Sequence, residues 1–106
     1  MGIRNADYTD IVNKDFQSLK LSVGTTEVLA ATNGGVALAD RERLVIINLG
    51  NKDIYIGPTG VSANGANQGD VLRPDERYIF DRVGPEINVY MIVQAGTADV
   101  IVWEFS

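Results

Sequence analysis

The feature that most constrains this chain is a succession of short apolar runs, each separated from the next by glycine, proline or asparagine. The runs recur at roughly ten-residue spacing, and none sustains the 3.6-residue period of a helix. Such a pattern is typical of β-sandwiches, jelly rolls and small barrels. We therefore predict an all-β fold: an antiparallel β-sandwich, jelly-roll-like, with roughly seven to nine short strands.

The chain has 106 residues, which is the size of one domain with a single compact core. Residues 1–16 mix isolated apolar side chains with aspartate and asparagine, and they keep neither the strand nor the helix period. We predict an extended N-terminal arm over residues 1–16 and one β-sandwich domain over residues 17–106. The arm is either a frayed terminus or a segment that docks on a neighbouring subunit.

Local patterns inside the domain predict its connections. Two apolar runs, Leu44–Leu49 and Ile54–Ile56, flank the turn formers Gly50–Asp53, which predicts a β-hairpin. The charged cluster Asp40–Arg43 is expected to cover a solvated corner. The stretch 58–70 is rich in glycine and asparagine, and it is expected to be a loop.

Three predicted strands, at residues 44–49, 87–93 and 100–105, are apolar on both faces. In a two-layer sandwich one face of each sheet normally meets water, so a second subunit is the simplest cover for the surplus. We therefore expect a homo-oligomer. The predicted interface residues, which include the apolar side chains of the arm, are Tyr8, Ile11, Val12, Phe16, Val45, Ile47, Tyr90, Ile92 and Trp103.

The chain contains no cysteine and no histidine. Without cysteine the chain has no thiolate nucleophile. Without histidine it lacks the usual general base near neutral pH and the commonest metal ligand. The glycine-rich run Asn64–Gly69 lacks the lysine of a phosphate-binding loop. We therefore predict no catalytic, cofactor-binding or metal-binding residue, and a protein that is not an enzyme.

Net charge and hydropathy argue against two classes of binding partner, nucleic acid and membrane. Nine basic and fourteen acidic residues give a net charge of −5, the wrong sign for a domain that follows a phosphate backbone. No apolar run approaches the roughly 20 residues that span a bilayer, and the first ten residues contain no apolar region of the kind found in a secretory signal, so we expect none. We expect a soluble protein that binds neither nucleic acid nor membrane.

The run Gly69–Glu76 resembles the second motif of the cupins, a jelly-roll family. Cupins bind their metal through histidines and a glutamate, and this chain has no histidine. The likeness implies a shared strand-turn geometry without the metal site.

A wider resemblance covers roughly residues 41–105. It is to small virion proteins of tailed bacteriophages, β-sandwich modules that serve as capsid decoration (cement) proteins, head fibres or tail-associated modules, often as trimers. The segments that carry it are Arg43–Gly50, Asp53–Gly57, Gly69 with Leu72 and Pro74, Val89–Tyr90, and Gly96–Val100. No catalytic residue belongs to this pattern.

The resemblance implies a capsid decoration protein, of a kind that often forms trimers, that binds the major capsid protein or another virion protein. Its location would be the capsid surface, and the host cytoplasm during assembly. An alternative is a receptor- or carbohydrate-binding module of a phage tail or fibre, in which Tyr55, Tyr78, Tyr90 and Trp103 form an aromatic platform. A small β-sandwich hydrolase is a third possibility, and it would need two carboxylates facing one pocket.

Overall fold

The computed structural model describes residues 16–106, and this part of the chain consists of strands and connecting loops without a helix. This confirms the predicted all-β class. The strands are β1 (Phe16–Val23), β2 (Val28–Leu29), β3 (Arg43–Asn48), β4 (Ile54–Gly57), β5 (Asp70–Leu72), β6 (Arg77–Asp81), β7 (Tyr90–Val93) and β8 (Ala98–Phe105).

These strands form two four-stranded sheets with the orders β1-β8-β3-β6 and β2-β7-β4-β5. Every neighbouring pair is antiparallel. The sheets pack face to face around one apolar core, which confirms the predicted antiparallel β-sandwich. We call them the first and the second sheet.

The core follows from the period-two alternation of strand side chains. In the central strands of the first sheet, Leu44, Ile46, Val100 and Val102 point inward and are fully buried. The second sheet contributes inward side chains from its own central strands, among them Ile54, Ile56, Met91 and Val93.

The predicted hairpin of residues 44–56 is wrong. Strand β3 pairs with β6 and β8 in the first sheet, whereas β4 pairs with β5 and β7 in the second. The connection at Gly50–Asp53 therefore crosses from one sheet to the other. At Gly50 it passes so close to β8 that an added Cβ would lie 2.7 Å from the Cβ of Ala98.

The charged cluster Asp40–Arg43 is only partly the solvated corner that we predicted. Asp40, Glu42 and Arg43 are exposed, but Arg41 is buried, with 3% of its surface accessible. Its guanidinium lies 2.8 Å from the carboxylate of Glu104 on β8, whose side chain is fully buried. Sequence pattern failed here because a charge in a polar run gives no sign of a buried partner 63 residues away.

Every polar atom of this buried pair has a partner. Arg41 donates to Glu104 and to the backbone carbonyls of Val83, Gly84 and Ile87, at 2.7–3.2 Å. Glu104 also accepts from the Thr32 amide at 2.7 Å and from the Leu38 amide at 3.2 Å. The pair therefore ties the loop before β3 and the loop before β7 to the last strand.

Candidate interaction surface

The solvent-facing side of the first sheet carries a cluster of apolar side chains. They are the residues of the four strands that alternate with the core residues, so the register of the sheet brings them side by side. Val45, for example, pairs with Trp103 on one side and with Ile79 on the other. We call this cluster the outer apolar face; it consists of Phe16, Val45, Ile47, Ile79, Ile101, Trp103 and Phe105.

Three aromatic rings form one end of the outer apolar face. The ring of Phe16 stacks on that of Phe105, with 4.7 Å between centroids. It meets Trp103 edge to face at 6.0 Å. Aromatic contacts of this geometry favour a defined arrangement of the rings over a loose cluster.

The outer apolar face is only partly covered by its own members. Val45 lies beneath its neighbours and is 5% exposed, and Trp103 is half-buried. Phe16 and Ile79, by contrast, are 51% and 52% exposed. The face therefore presents bulky apolar groups at its surface.

Charged side chains of both signs border this face. Arg43 and Asp81 form an exposed ion pair at 2.7 Å, and Lys20 lies 3.6 Å from a carboxylate oxygen of Asp99. The guanidinium of Arg77 lies 5.7 Å from the centre of the Trp103 ring, within the range of a cation–π contact. The surface is thus an apolar centre with a mixed-charge rim.

The structure divides the predicted interface residues among three places. Phe16, Val45, Ile47 and Trp103 lie together on the outer apolar face. Tyr90 and Ile92 lie on the solvent side of the second sheet, and so on the opposite side of the sandwich. The arm residues in the prediction, Tyr8, Ile11 and Val12, lie outside the described residues.

Sequence reasoning missed several members of this surface. Ile101 and Phe105 share the strand face of Trp103, and the alternation of β8 alone was sufficient to group them. Ile79 was harder to assign, because its position beside Val45 depends on the pairing of β3 with β6. That pairing joins segments separated by about thirty residues, and no local pattern specifies it.

The opposite side of the sandwich has a polar cleft of about 330 Å³ at the loop between β3 and β4. Among the residues that line the cleft, one is aromatic: Tyr55, on β4. We call it the Tyr55 cleft; it is lined by Asn51, Lys52, Asp53, Tyr55, Gln94 and Ala95.

Residues 16–106 bring together no group of three or more acidic, histidine or cysteine side chains that could hold a metal ion. Within the same residues, no helix is long and apolar enough to cross a membrane. The one carboxylate in this range that is buried, Glu104, is held by the donors described above.

No protein-family model matches this chain, and no curated protein matches its sequence.

Proposed function

We propose that this protein is a structural virion protein of a tailed bacteriophage: a capsid decoration protein that binds the major capsid protein and stabilises the head shell as a homotrimer. It would act on the capsid surface after assembly in the host cytoplasm, and it would not be an enzyme. The observation that carries the proposal is the outer apolar face. The assignment to a virion and the number of three subunits come from the resemblance described above.

The outer apolar face supports self-association. Bulky side chains exposed side by side within a charged rim are typical of protein interfaces, in which an apolar centre excludes water and a polar rim surrounds it. A second copy of the chain suits this surface, because the rim carries both signs of charge in Arg43, Asp81, Lys20 and Asp99. Arginine and aromatic residues, which this face combines, are also the residue types enriched at interfaces.

The strand order supports a jelly-roll topology, which we propose for the sandwich. The first strand pairs with the eighth, the second with the seventh, the third with the sixth and the fourth with the fifth. These nested pairs are what results when one long antiparallel ribbon is wrapped into two sheets. Jelly rolls of eight strands are common in viral capsid proteins.

The position of Phe16 supports the proposed role of the arm. Phe16 was the last residue of the predicted arm, and the structure places it at the start of β1 with its ring on the outer apolar face. The arm therefore joins the domain at the surface that we assign to subunit contact. We propose that residues 1–15 engage a neighbouring subunit or the shell.

The state of the carboxylates supports a non-catalytic role. Glu104 is inaccessible, and its oxygens accept hydrogen bonds from Thr32, Leu38 and Arg41. Among the other acidic residues between positions 16 and 106, Glu27 is half-buried and accepts hydrogen bonds from the Thr59 hydroxyl and the Gly60 amide, and the rest are exposed. A hydrolase would need two carboxylates that share one sheltered pocket.

A matched pair of isoleucine substitutions tests the subunit interface. Ile79→Glu places a charge in the outer apolar face, and Ile87→Glu places the same charge in the loop before β7. The two isoleucines are equally exposed, at 52% and 51%. By light scattering, the native chain and the Ile87 variant should have three times the 11.5 kDa chain mass, and the Ile79 variant should be monomeric. A native monomer, or an Ile79 variant that still associates, would overturn the proposed interface.

Binding to shells tests the virion role separately. The native protein should cosediment stoichiometrically with assembled capsids of its phage, and deletion of residues 1–15 should abolish cosedimentation while the circular dichroism of the sandwich remains. If the truncated protein decorates shells normally, the arm proposal fails. If the native protein binds tails and not heads, it is a tail component.

A further inference from the structure

The loop that forms one wall of the Tyr55 cleft is held by a buried side chain. Asn48 is fully buried, and its amide nitrogen donates to the Lys52 carbonyl at 2.7 Å and to the Leu72 carbonyl at 3.0 Å. Its side-chain oxygen accepts from the Gly50 amide at 2.9 Å. The backbone of residues 50–52 is thus fixed before any ligand arrives, which lowers the entropy cost of binding.

A second contact orients the lysine of this wall. Gly96 has a φ of +72°, and an added Cβ there would lie 2.9 Å from Cε of Lys52. The aliphatic part of the lysine therefore lies against the glycine, and a larger residue at position 96 would displace it. This contact links the β3–β4 loop to the β7–β8 turn, which supplies Gln94 and Ala95 to the cleft.

The cleft combines one aromatic side chain with short polar ones. Tyr55 is half-buried and lies on the solvent side of the second sheet, between Ile92 and Val71 in the register. Around it stand two amides, one carboxylate and one ammonium group, and the two charges cancel. An aromatic face suits the C–H face of a sugar ring, and amides and carboxylates suit its hydroxyl groups.

We propose that the Tyr55 cleft binds a neutral saccharide, with the sugar ring against Tyr55 and its hydroxyls hydrogen-bonded by Asn51, Asp53 and Gln94. A volume of about 330 Å³ lies at the lower end of the range of ligand pockets and has room for roughly one or two sugar rings. The cleft lies on the sheet opposite to the outer apolar face. A glycan could therefore be bound while the first sheet is covered by another subunit.

Titration of the native, isotope-labelled protein with neutral sugars tests this site by NMR. The neutral sugars are glucose, galactose, mannose, N-acetylglucosamine, maltose and lactose. Glucuronate and inorganic phosphate are titrated separately as anionic comparison ligands. We expect at least one neutral sugar to cause saturable amide shifts at residues 50–55 and 94–96. No saturable shift with any neutral sugar, or shifts with the anions alone, would overturn the proposal.

Two tyrosine variants separate the cleft from the general surface. Tyr55→Ala should weaken saccharide binding roughly tenfold, the loss expected from one aromatic contact, whereas Tyr55→Phe should retain it. Tyr90→Ala is the matched control, because Tyr90 faces the same side of the second sheet and does not line the cleft. Gln94→Ala is the alternative test if Tyr55→Ala does not fold. Because Gln94 is exposed, its variant should fold, and it should also weaken saccharide binding. Equal losses in the Tyr55 and Tyr90 variants would refute the assignment.

Discussion

Replacing Glu104 by glutamine should destabilise this protein severely, although the two side chains have the same shape. The partners of Glu104 include the amides of Thr32 and Leu38 and the guanidinium of Arg41, all of which donate hydrogen bonds. The –NH₂ group of glutamine would face one of these donors in either orientation of the amide. The substitution would also leave the Arg41 charge buried without its counter-ion.

The expected loss is a large part of the total stability. Breaking a buried ion pair by removing one partner costs about 3–5 kcal/mol. A domain of this size has a total unfolding free energy of roughly 5–15 kcal/mol. We therefore expect the melting temperature of the Glu104→Gln variant to fall by more than about 10 °C.

Urea unfolding measures this effect directly. The chain has one tryptophan, Trp103, which is adjacent to Glu104 and is a convenient fluorescence probe. The protein concentration must be the same for all variants, because association would add to the apparent stability. Asp81→Asn is the matched control: it makes the same carboxylate-to-amide change opposite Arg43, in an ion pair of 2.7 Å that is exposed to solvent. Exposed pairs contribute at most about 1 kcal/mol.

A double-mutant cycle separates the ion pair from the surrounding hydrogen bonds. Arg41→Met should destabilise strongly, because it removes one hydrogen-bond donor from each of three backbone carbonyls and from the Glu104 carboxylate. Glu104→Gln and Arg41→Met disrupt the same network. The loss of unfolding free energy in the double variant should therefore be smaller than the sum of the losses in the two single variants. If Glu104→Gln costs less than about 1 kcal/mol, no more than the exposed control, then the buried network does not stabilise the sandwich as we argue.

Two further predictions concern other polar contacts. Asn48→Ala should cost about 1–3 kcal/mol in urea unfolding, because it removes the side-chain hydrogen bonds to the Gly50 amide and to the Lys52 and Leu72 carbonyls. Hydrogen exchange at Gly50 should become faster, and unchanged exchange would contradict the role of Asn48. The hydrogen bond from the Tyr78 hydroxyl to Asp70, then burial, then the Asp70 charge raise the pKa of Tyr78 above its ordinary value of 10.0. The neutral phenol is thus favoured by folding, so its contribution to stability is complete below pH 10 and is lost as the pH rises through the folded-state pKa. Tyr78→Phe should flatten this alkaline decline in the melting temperature, and an unchanged profile would show that Tyr78 does not cause it.

The candidate surfaces differed in how far the sequence predicted them. Strand alternation placed Trp103 on the face opposite to the core residues of β8, and the structure agrees. The same rule does not say which strands become neighbours, so it grouped Tyr90 and Ile92 with Trp103 although they lie on opposite sides of the sandwich. The Tyr55 cleft joins the β3–β4 loop to the β7–β8 turn, which are about forty residues apart in sequence.

The period-two pattern of apolar residues determined the all-β fold class. Short runs of this period, broken by turn formers, can bury their apolar faces only in packed sheets. The structure is such a sandwich. Which strands meet was decided only in the tertiary structure. Turn formers such as Gly50–Asp53 serve a hairpin and a crossing between sheets equally well, because both need only a tight reversal. The difference depends on the core and on distant partners, such as Ala98 against Gly50 and Glu104 against Arg41. Long-range contacts of this kind leave no periodic trace in the sequence.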